Sequence, residues 1–257
     1  MSMSSAIPHA PDPSKWINPP DIFKFRARPK GIPVPEFWAK MEGLLRAKSA
    51  ASSPFVKAVA DGTAPREAVQ RFARDLPLIA RDLPLIEGEI ASRASLHGVN
   101  TVILLSYGST LAFGYNGFAP LTELAERFAQ AMGVNSSTGQ ASRRTTVFLA
   151  CVRSLGLEWL EAGVAATSID AQWAEVAKVL KAGLQKHYGV PVEALACFDA
   201  LAAFDGPRTT ERPLMLQELA QSGYHQYVVT HAIRESTGVW RHMWDGWLSR
   251  PAEEDAQ

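Results

Sequence analysis

Two histidines and two carboxylates near the C-terminus have the spacing of a single helix face. Glu235, His242 and Asp245 follow His231 by 4, 11 and 14 residues. At about 100° per residue, all four lie within about 40° of one line along a helix. Imidazole and carboxylate donors on one stripe are suited to a transition metal or to a polar substrate. We favour an ordinary solvated face beside a tryptophan-rich core side, and keep a metal site as an alternative.

A short repeat places further charged groups together. RDLPLIA at residues 74–80 is followed at once by RDLPLIE at residues 81–87. Seven residues turn a helix by about 700°, so the two copies lie on nearly the same face. The proline in each copy bends the helix. One interpretation is a kinked core helix with a charged stripe. The other is that the bends direct Asp75, Arg81 and Asp82 towards a substrate.

The composition excludes several classes of protein. The chain has 257 residues and is 47% apolar, which is ample for a buried core. Its 26 basic and 26 acidic residues balance, so no net field draws it to nucleic acid or to an anionic membrane. Two cysteines, no secretory signal and no membrane-length apolar run favour the cytoplasm. The sequence has no glycine-rich phosphate loop, paired CxxC motif or nucleophile elbow.

Helical periodicity dominates the chain after its proline-rich start, and the fold class is predicted to be all-α. Apolar residues recur at helical spacing, and proline, glycine and capping residues mark the helix ends. After a helix from Pro35, the expected helices span 54–60, a long segment through both repeat copies, 101–112, 119–132, 140–157, 160–187, 191–204, 209–221 and 223–248.

The first 34 residues are predicted to form an extended arm. They contain seven prolines, which remove backbone donors and prevent a helix or an inner strand. Trp16, Phe23 and Phe25 make the arm apolar enough to pack on the helical body, and we expect it to do so across a homodimer. The domain boundaries follow: an arm over 1–34, a helical domain over 35–248 and a tail over 249–257.

The run WLEAGVAATSIDAQWAEVAKVLKAGLQKHYGVPVEALACFDALAAFDGPR, residues 159–208, resembles the helices that carry the iron ligands of haem-oxygenase-like diiron oxidases. There the pattern is roughly A-A-x-x-x-x-E, then F-x-x-H-x-x-x-D-x-x-H after a Y-G-V/F turn. In this chain the glutamate position falls on Ala171, the histidines fall on Leu201 and Arg208, and the aspartate is kept as Asp205. The scaffold of the metal site is present without most of its donors.

The likeness extends over residues 35–248. SPFVKAVADGTAPREAVQRFARDLPLI resembles the opening of the thiaminase II and pyrroloquinoline-quinone synthase superfamily, and Asp75 matches the aspartate with which thiaminase II holds its pyrimidine. Residues 113–134 and the closing VWRHMWDGW resemble two further helices of that superfamily. The nucleophilic cysteine of thiaminase II falls near Asp170, so the resemblance does not carry over its hydrolysis. The fold implied is a haem-oxygenase-like bundle of about seven to nine helices.

The same resemblance defines the expected site. On the diiron pattern the first-helix glutamate falls on Tyr115 and its histidine on Leu121, so five of six ligand positions are non-ligands. We therefore expect no cofactor and no bound metal. Tyr115, Asp205 and Arg208 are the candidate catalytic residues, because an arginine in an apolar cavity suits a carboxylate and a tyrosine can exchange a proton.

Three functions stay open on the sequence alone. The preferred one is a metal-independent biosynthetic enzyme, an oxidoreductase for a small anionic substrate that is aromatic or derived from an amino acid. The precedent for this function is the quinone synthase of the superfamily, which oxidises its substrate with O₂ and without a metal. Asp170 and Trp173 join the repeat residues as expected substrate contacts. The alternatives are a catalytically silent partner of a biosynthetic pathway, and a non-haem iron oxidase with relocated ligands.

Overall fold

A computed structural model describes residues 30–95, 112–114, 117–135, 141–155, 159–203 and 220–249, and these ranges contain α-helices and 3-10 turns but no strand. The all-α prediction is confirmed for them. The helices are α1 (Val34–Ala47), α2 (Pro54–Asp61), α3 (Arg66–Ser95), α4 (Leu121–Ala131), α5 (Arg143–Leu155), α6 (Trp159–Tyr188), α7 (Ala196–Ala202) and α8 (Gly223–Gly246). Short 3-10 turns cover Ala50–Ser52 and Val192–Leu195. Residues 1–29 of the arm and most of the helices expected over 101–112 and 209–221 lie outside the described residues.

Local sequence explains how the helices begin and end. The Ser53 side chain accepts a hydrogen bond from the backbone N–H of Val56 and so caps α2, whose first residue is Pro54. Proline is accepted there because the first turn has no intrahelical partner for its missing donor. The helix ends at Gly62, which takes the left-handed conformation at φ 73°. Ser222 caps α8 in the same way, accepting from the N–H of His225.

Helix α3 continues through both copies of the repeat. Pro77 and Pro84 lie inside its 30 residues without ending it. Its core side is formed by Leu76, Leu83 and Ile90, each at most 5% exposed. The prediction of a core helix across the repeat is therefore confirmed, because apolar burial on one face stabilises the helix against the loss of two backbone donors.

Helices α6 and α8 form the centre of the fold. They pack against each other, and α6 also contacts α2, α3, α5 and α7. Edge-to-face and tilted ring contacts at about 5–6 Å join the buried aromatic side chains into one network. This aromatic core consists of Phe55, Phe72, Phe128, Phe148, Trp173, Phe198, Trp240, Trp244 and Trp247. Each of these rings is at most 2% exposed.

A second apolar cluster joins α1 to the first half of α8. Phe37 and Met41 from α1 pack with Val229 and Ile233 from α8, apart from the aromatic core. The side-chain amide of Gln226 also holds the segment that leads into α1. It accepts from the N–H of Ile32 at 3.0 Å and donates to the carbonyl oxygen of that residue at 2.7 Å. The beginning of the described chain is thus fixed on α8.

In the part of the chain that the structure describes, none of the helices has the length and hydropathy needed to cross a membrane.

Candidate functional site

Asp75 is the charged residue that the helix packing encloses most completely. It lies on α3 and is 1% exposed. Its Oδ2 accepts from Ser142 Oγ at 2.6 Å, Thr145 Oγ1 at 2.6 Å and Trp247 Nε1 at 3.0 Å. Its Oδ1 accepts from the N–H of Ser142 at 3.1 Å. Four donors compensate the cost of burying the charge, and they join α3 to α5 and to the end of α8.

The hydrogen bonds of Asp75 therefore differ from the open arrangement that a substrate ligand needs. All four donors belong to the protein, so a pyrimidine or another substrate must displace at least one of them to reach the carboxylate. Ser142 and Thr145 were not identified from the sequence. Their residue types could have indicated this role, because a serine three residues before a threonine at a helix start is typical of a capping turn.

Arg81 and Asp82 lie nearer to solvent than Asp75. Their side chains are 59% and 25% exposed, and Arg81 Nε donates to Asp82 Oδ1 at 2.7 Å. This hydrogen bond and the nearby negative charge raise the pKa of Arg81 above its ordinary value. Seven residues separate Asp82 from Asp75, so Asp82 lies about 10 Å further along α3 and its pair with Arg81 does not form one site with Asp75.

Asp170 and Trp173 are one turn apart on α6 at the level of the aromatic core. The Trp173 ring is 2% exposed and meets the rings of Trp240 and Trp244 edge to face, with centroids 5.0 and 5.7 Å away. Asp170 is half-buried. Trp173 therefore lies in the interior of the bundle, whereas Asp170 lies part of the way to solvent.

Where the resemblance in sequence places iron ligands, the described residues are apolar. Leu121 begins α4 and is 4% exposed, and Leu201 on α7 is 0% exposed; both belong to the main hydrophobic core. Ala171 lies within α6. Hydrocarbon side chains offer no lone pair to a metal, so these positions do not fit a dinuclear iron centre. The candidate catalytic residues Tyr115, Asp205 and Arg208 lie outside the described residues.

The stripe on α8 is a solvated face. His231, Glu235 and His242 are exposed, and Asp245 pairs with Arg241 at 3.0 Å. The four share a direction but not a level, since a rise of 1.5 Å per residue separates the two histidines by about 16 Å along the axis. Within the described ranges no three His, Cys, Asp or Glu side chains are close enough to hold a metal ion. The structure therefore does not assemble the relocated metal site that the stripe suggested.

Two tryptophans in the aromatic core carry buried polar groups. The indole N–H groups of Trp240 and Trp244 are shielded from solvent and have no hydrogen-bond partner among the described residues. Trp247, one turn further along, donates to Asp75 instead. The spacing of the three residues predicts that they share the core side of α8. Which of the three indoles has an acceptor depends on the neighbouring helices and could not be read from that spacing.

Glu87 is a buried carboxylate that sequence reasoning missed. It lies on α3 and is 5% exposed. A signal was available, because it follows Leu83 by four residues and precedes Ile90 by three, and these positions share the apolar stripe of the helix. A carboxylate in the core is a candidate for function, since burial is the usual means of changing how such a group binds protons and ligands.

The two cysteines are poor nucleophiles. Cys197 is 0% exposed within the core, and burial raises the pKa of its thiol well above the ordinary range. Cys151 is half-buried, and both burial and the charge of Glu235 raise the pKa of its thiol. Because the thiolate is the reactive form, neither residue is equipped for the nucleophilic step of a thiaminase.

The described helices have the arrangement of known haem-oxygenase-like structures. A domain of unknown function with a heme oxygenase-like fold from Shewanella denitrificans OS217 is 13% identical, covers 84% of this chain and 92% of its own, and gives a TM-score of 0.63. A CADD-like protein of unknown function from Nostoc punctiforme PCC 73102 is 15% identical over 84% of this chain and 96% of its own, with a TM-score of 0.66.

A TenA family transcription regulator from Silicibacter sp. TM1040 is 16% identical over 87% of this chain and 99% of its own, with a TM-score of 0.58. No protein-family model and no curated protein matches the sequence. At these identities the similarity shows the fold and leaves the activity open. The chain has the haem-oxygenase-like all-α fold, as its sequence predicted.

Proposed function

We propose that this protein is a metal-independent enzyme of small-molecule biosynthesis, an oxidoreductase that holds a small anionic substrate inside the helical bundle. The observation that carries the proposal is the pair of buried indole N–H groups on Trp240 and Trp244 that have no acceptor among the described residues. A buried donor without an acceptor costs about 1–3 kcal/mol. A substrate with a carboxylate or ring carbonyl near these tryptophans would remove that cost.

The surroundings of these donors favour an aromatic substrate. Trp173 and Phe148 lie against Trp240 with centroids 5.0 and 5.1 Å away, so the region offers ring faces and edges. Aromatic rings favour offset or edge-to-face neighbours of this kind. A compound derived from an aromatic amino acid combines such a ring with a carboxylate. Arg208 remains our proposed anchor for that carboxylate, with Asp205 as its neighbour and Tyr115 as the proton-exchanging group.

The proposed reaction is a two-electron oxidation by O₂. Two electrons and two protons leave the substrate, and O₂ becomes hydrogen peroxide. The apolar side chains at Leu121 and Leu201 support a route without bound iron, because they occupy positions where the diiron oxidases have histidine. The protein's part is to orient the substrate, exclude water and exchange a proton with it.

Tryptophan-to-phenylalanine variants test the binding site, because they remove the N–H and keep a ring. Trp244→Phe should weaken the binding of aromatic carboxylates about tenfold, measured by titration calorimetry with benzoate, 2-naphthoate and phenylpyruvate. The stability of the free protein should change little, because removal of a donor that had no acceptor among the described residues offsets the cavity left by the smaller ring. Trp247→Phe is the matched control. It should lower stability, since it removes the bond to Asp75, and leave the affinity unchanged.

Arg208 is tested in the same titrations. Arg208→Ala should weaken binding about ten- to a hundredfold, since a charge-assisted pair contributes roughly 1.5–3 kcal/mol. Arg208→Lys should recover part of the loss, because an ammonium cannot make the two-pronged contact. Unchanged affinity in Arg208→Ala would remove the anchor from the proposal. Peroxide formation with a bound aromatic amino acid, which unlike benzoate can lose two electrons and two protons, tests the oxidase step.

A second candidate is a catalytically silent partner of a biosynthetic pathway. Its supporting observation is the filled interior: Leu121 and Leu201 pack into the core, and Asp75 is saturated by internal donors. This candidate predicts that none of the three aromatic carboxylates binds. It also predicts that Trp244→Phe has no functional effect.

We further propose that the protein is a cytoplasmic homodimer. The support is the apolar arm with Trp16, Phe23 and Phe25, which would be poorly placed in water. Deleting residues 1–30 should lower the thermal midpoint or dissociate the dimer. Sedimentation of the full chain as a monomer, with an unchanged midpoint after deletion, would contradict this assembly.

A further inference from the structure

A cleft of about 550 Å³ lies outside the aromatic core, between α1 and the first half of α8. Its apolar side is formed by Phe37, Met41 and Leu44 from α1 and by Ile32 from the segment before it. Phe37 and Leu44 are seven residues apart, so this apolar strip is about 10 Å long. Phe37 and Met41 belong to the second apolar cluster, and the cleft is therefore separate from the proposed oxidase site.

The charged residues around the cleft are all basic. Lys30, Lys40 and Arg234 line it, and none of its lining residues is acidic. Lys40 pairs with Glu36 at 2.9 Å, but both side chains are more than half exposed and such pairs are weak. Lys30 and Arg234 form no ion pair with any described residue. The chain as a whole has no net charge, so this excess of positive charge is local.

Two of the uncharged polar side chains of the cleft, Gln226 and Thr230, already have partners. The Gln226 side-chain amide accepts a hydrogen bond from the N–H of Ile32 and donates one to the carbonyl oxygen of the same residue. It also donates to the carbonyl oxygen of Ala220 at 3.1 Å. The Thr230 hydroxyl donates to the carbonyl of Gln226 at 2.7 Å. These bonds hold the wall of the cleft in place without a ligand. They leave the basic side chains and the exposed Tyr227 hydroxyl as the groups that select the polar part of a ligand.

We propose that this cleft binds an amphiphilic anion, an elongated apolar body with one anionic head group. The apolar strip suits the body, and a basic side chain at either end of the cleft suits a carboxylate, sulfate or phosphate head. The cleft extends from Gly223 to Arg234 along α8, about 16 Å, with Lys30 near one end and Arg234 near the other. A ten-carbon chain with its head group fits within that length.

The arm of the same chain is a less suitable occupant. It joins the described chain next to Lys30, and its apolar residues could reach the cleft. However, residues 1–29 contain four lysines and arginines against two aspartates. Placing this positive segment against Lys30, Lys40 and Arg234 brings like charges together, whereas an external anion neutralises them.

Calorimetric titration of the full chain with decanoate, decyl sulfate, decyl phosphate and neutral decanol tests the proposal. We expect at least one anion to bind with one site per chain and at least tenfold more tightly than decanol. The double variant Lys30→Gln/Arg234→Gln should remove that preference. The double variant Arg46→Gln/Lys57→Gln, which neutralises two exposed cations elsewhere, should keep it. Equal affinity for decanol and all three anions would overturn the proposal.

Two further variants locate the bound anion. Leu44→Trp fills the cleft and should abolish binding of the anions, with circular dichroism confirming the fold. Trp244→Phe alters the interior and should leave this binding unchanged. The proposal for the cleft and the proposal for the oxidase site are therefore tested independently of each other. Binding that survives Leu44→Trp, or that appears only after residues 1–29 are deleted, would show that the anion does not occupy this cleft in the native chain.

Discussion

Replacing Asp75 with asparagine should destabilise the fold strongly. The substitution keeps the shape of the side chain and removes its charge, and one of its two terminal atoms becomes a donor. The amide oxygen can take the place of Oδ2 and keep three donors. The amide nitrogen must then face the backbone N–H of Ser142, which now donates to Oδ1 at 3.1 Å. In the opposite orientation the amide nitrogen takes the place of Oδ2 and faces the indole N–H of Trp247 instead.

The magnitude follows from these contacts. Hydrogen bonds to a charged group contribute about 1.5–3 kcal/mol and neutral ones about 0.5–1.5 kcal/mol. Weakening three bonds by about 1 kcal/mol each and losing the fourth gives roughly 4 kcal/mol. The lower cost of burying a neutral amide offsets part of this, so we expect a net loss of about 3 kcal/mol. For a protein of this size the thermal midpoint should fall by about 6–12 °C.

Thermal and urea unfolding followed by circular dichroism measure this loss. Asp82→Asn is the matched control, because it makes the same change seven residues later on α3. Asp82 contacts exposed Arg81, so this control should cost less than about 1 kcal/mol. Similar small losses of stability in both variants would refute the claim that the four hydrogen bonds of Asp75 stabilise the fold. A stable Asp75→Asn protein with lost affinity for aromatic carboxylates would instead identify Asp75 as a substrate ligand.

Two other predictions concern packing, and a third concerns pH. Gly183→Ala should destabilise the protein by about 1–3 kcal/mol, because its new Cβ would lie 2.5 Å from the carbonyl oxygen of Val59. Gly88→Ala meets nothing within 4 Å and should stabilise α3 by about 0.5–1 kcal/mol in the same urea titration. The pKa values of Cys197 and Tyr188 are both raised by burial. The contribution of each protonated group to the stability of the fold is therefore complete below its unfolded pKa, about 8.5 for the thiol and about 10 for the phenol. As the pH rises above these values, the free energy of unfolding should decrease. A flat stability profile across that alkaline range would contradict the raised values.

Local signals in the sequence predicted most of the helices. The cap at Ser53, the proline after it and the stop at Gly62 define α2 without tertiary information. The spacing of Trp240 and Trp244 predicted the core side of α8, and both are buried. These features depend on neighbours within one or two turns, which a helical period describes well.

The candidate site was harder to predict because its contacts are distant in sequence. Asp75 meets Ser142 and Trp247, which are 67 and 172 residues away. Charge and helix face cannot show whether such a carboxylate faces a ligand or the protein's own donors. The stripe of His231 and His242 failed as a metal site for a simpler reason. Angular spacing specifies a direction, whereas a metal also requires its donors at one level of the helix axis.

Iron analysis tests the central claim of metal independence most directly. Protein reconstituted anaerobically with ferrous iron and then desalted should carry well under one equivalent of iron per chain. The reason is that Leu121 and Leu201, both buried in the core, are the residues that the resemblance in sequence aligns with histidine ligands of the diiron oxidases. Retention of two irons per chain, with an absorbance change when O₂ is added, would contradict the account.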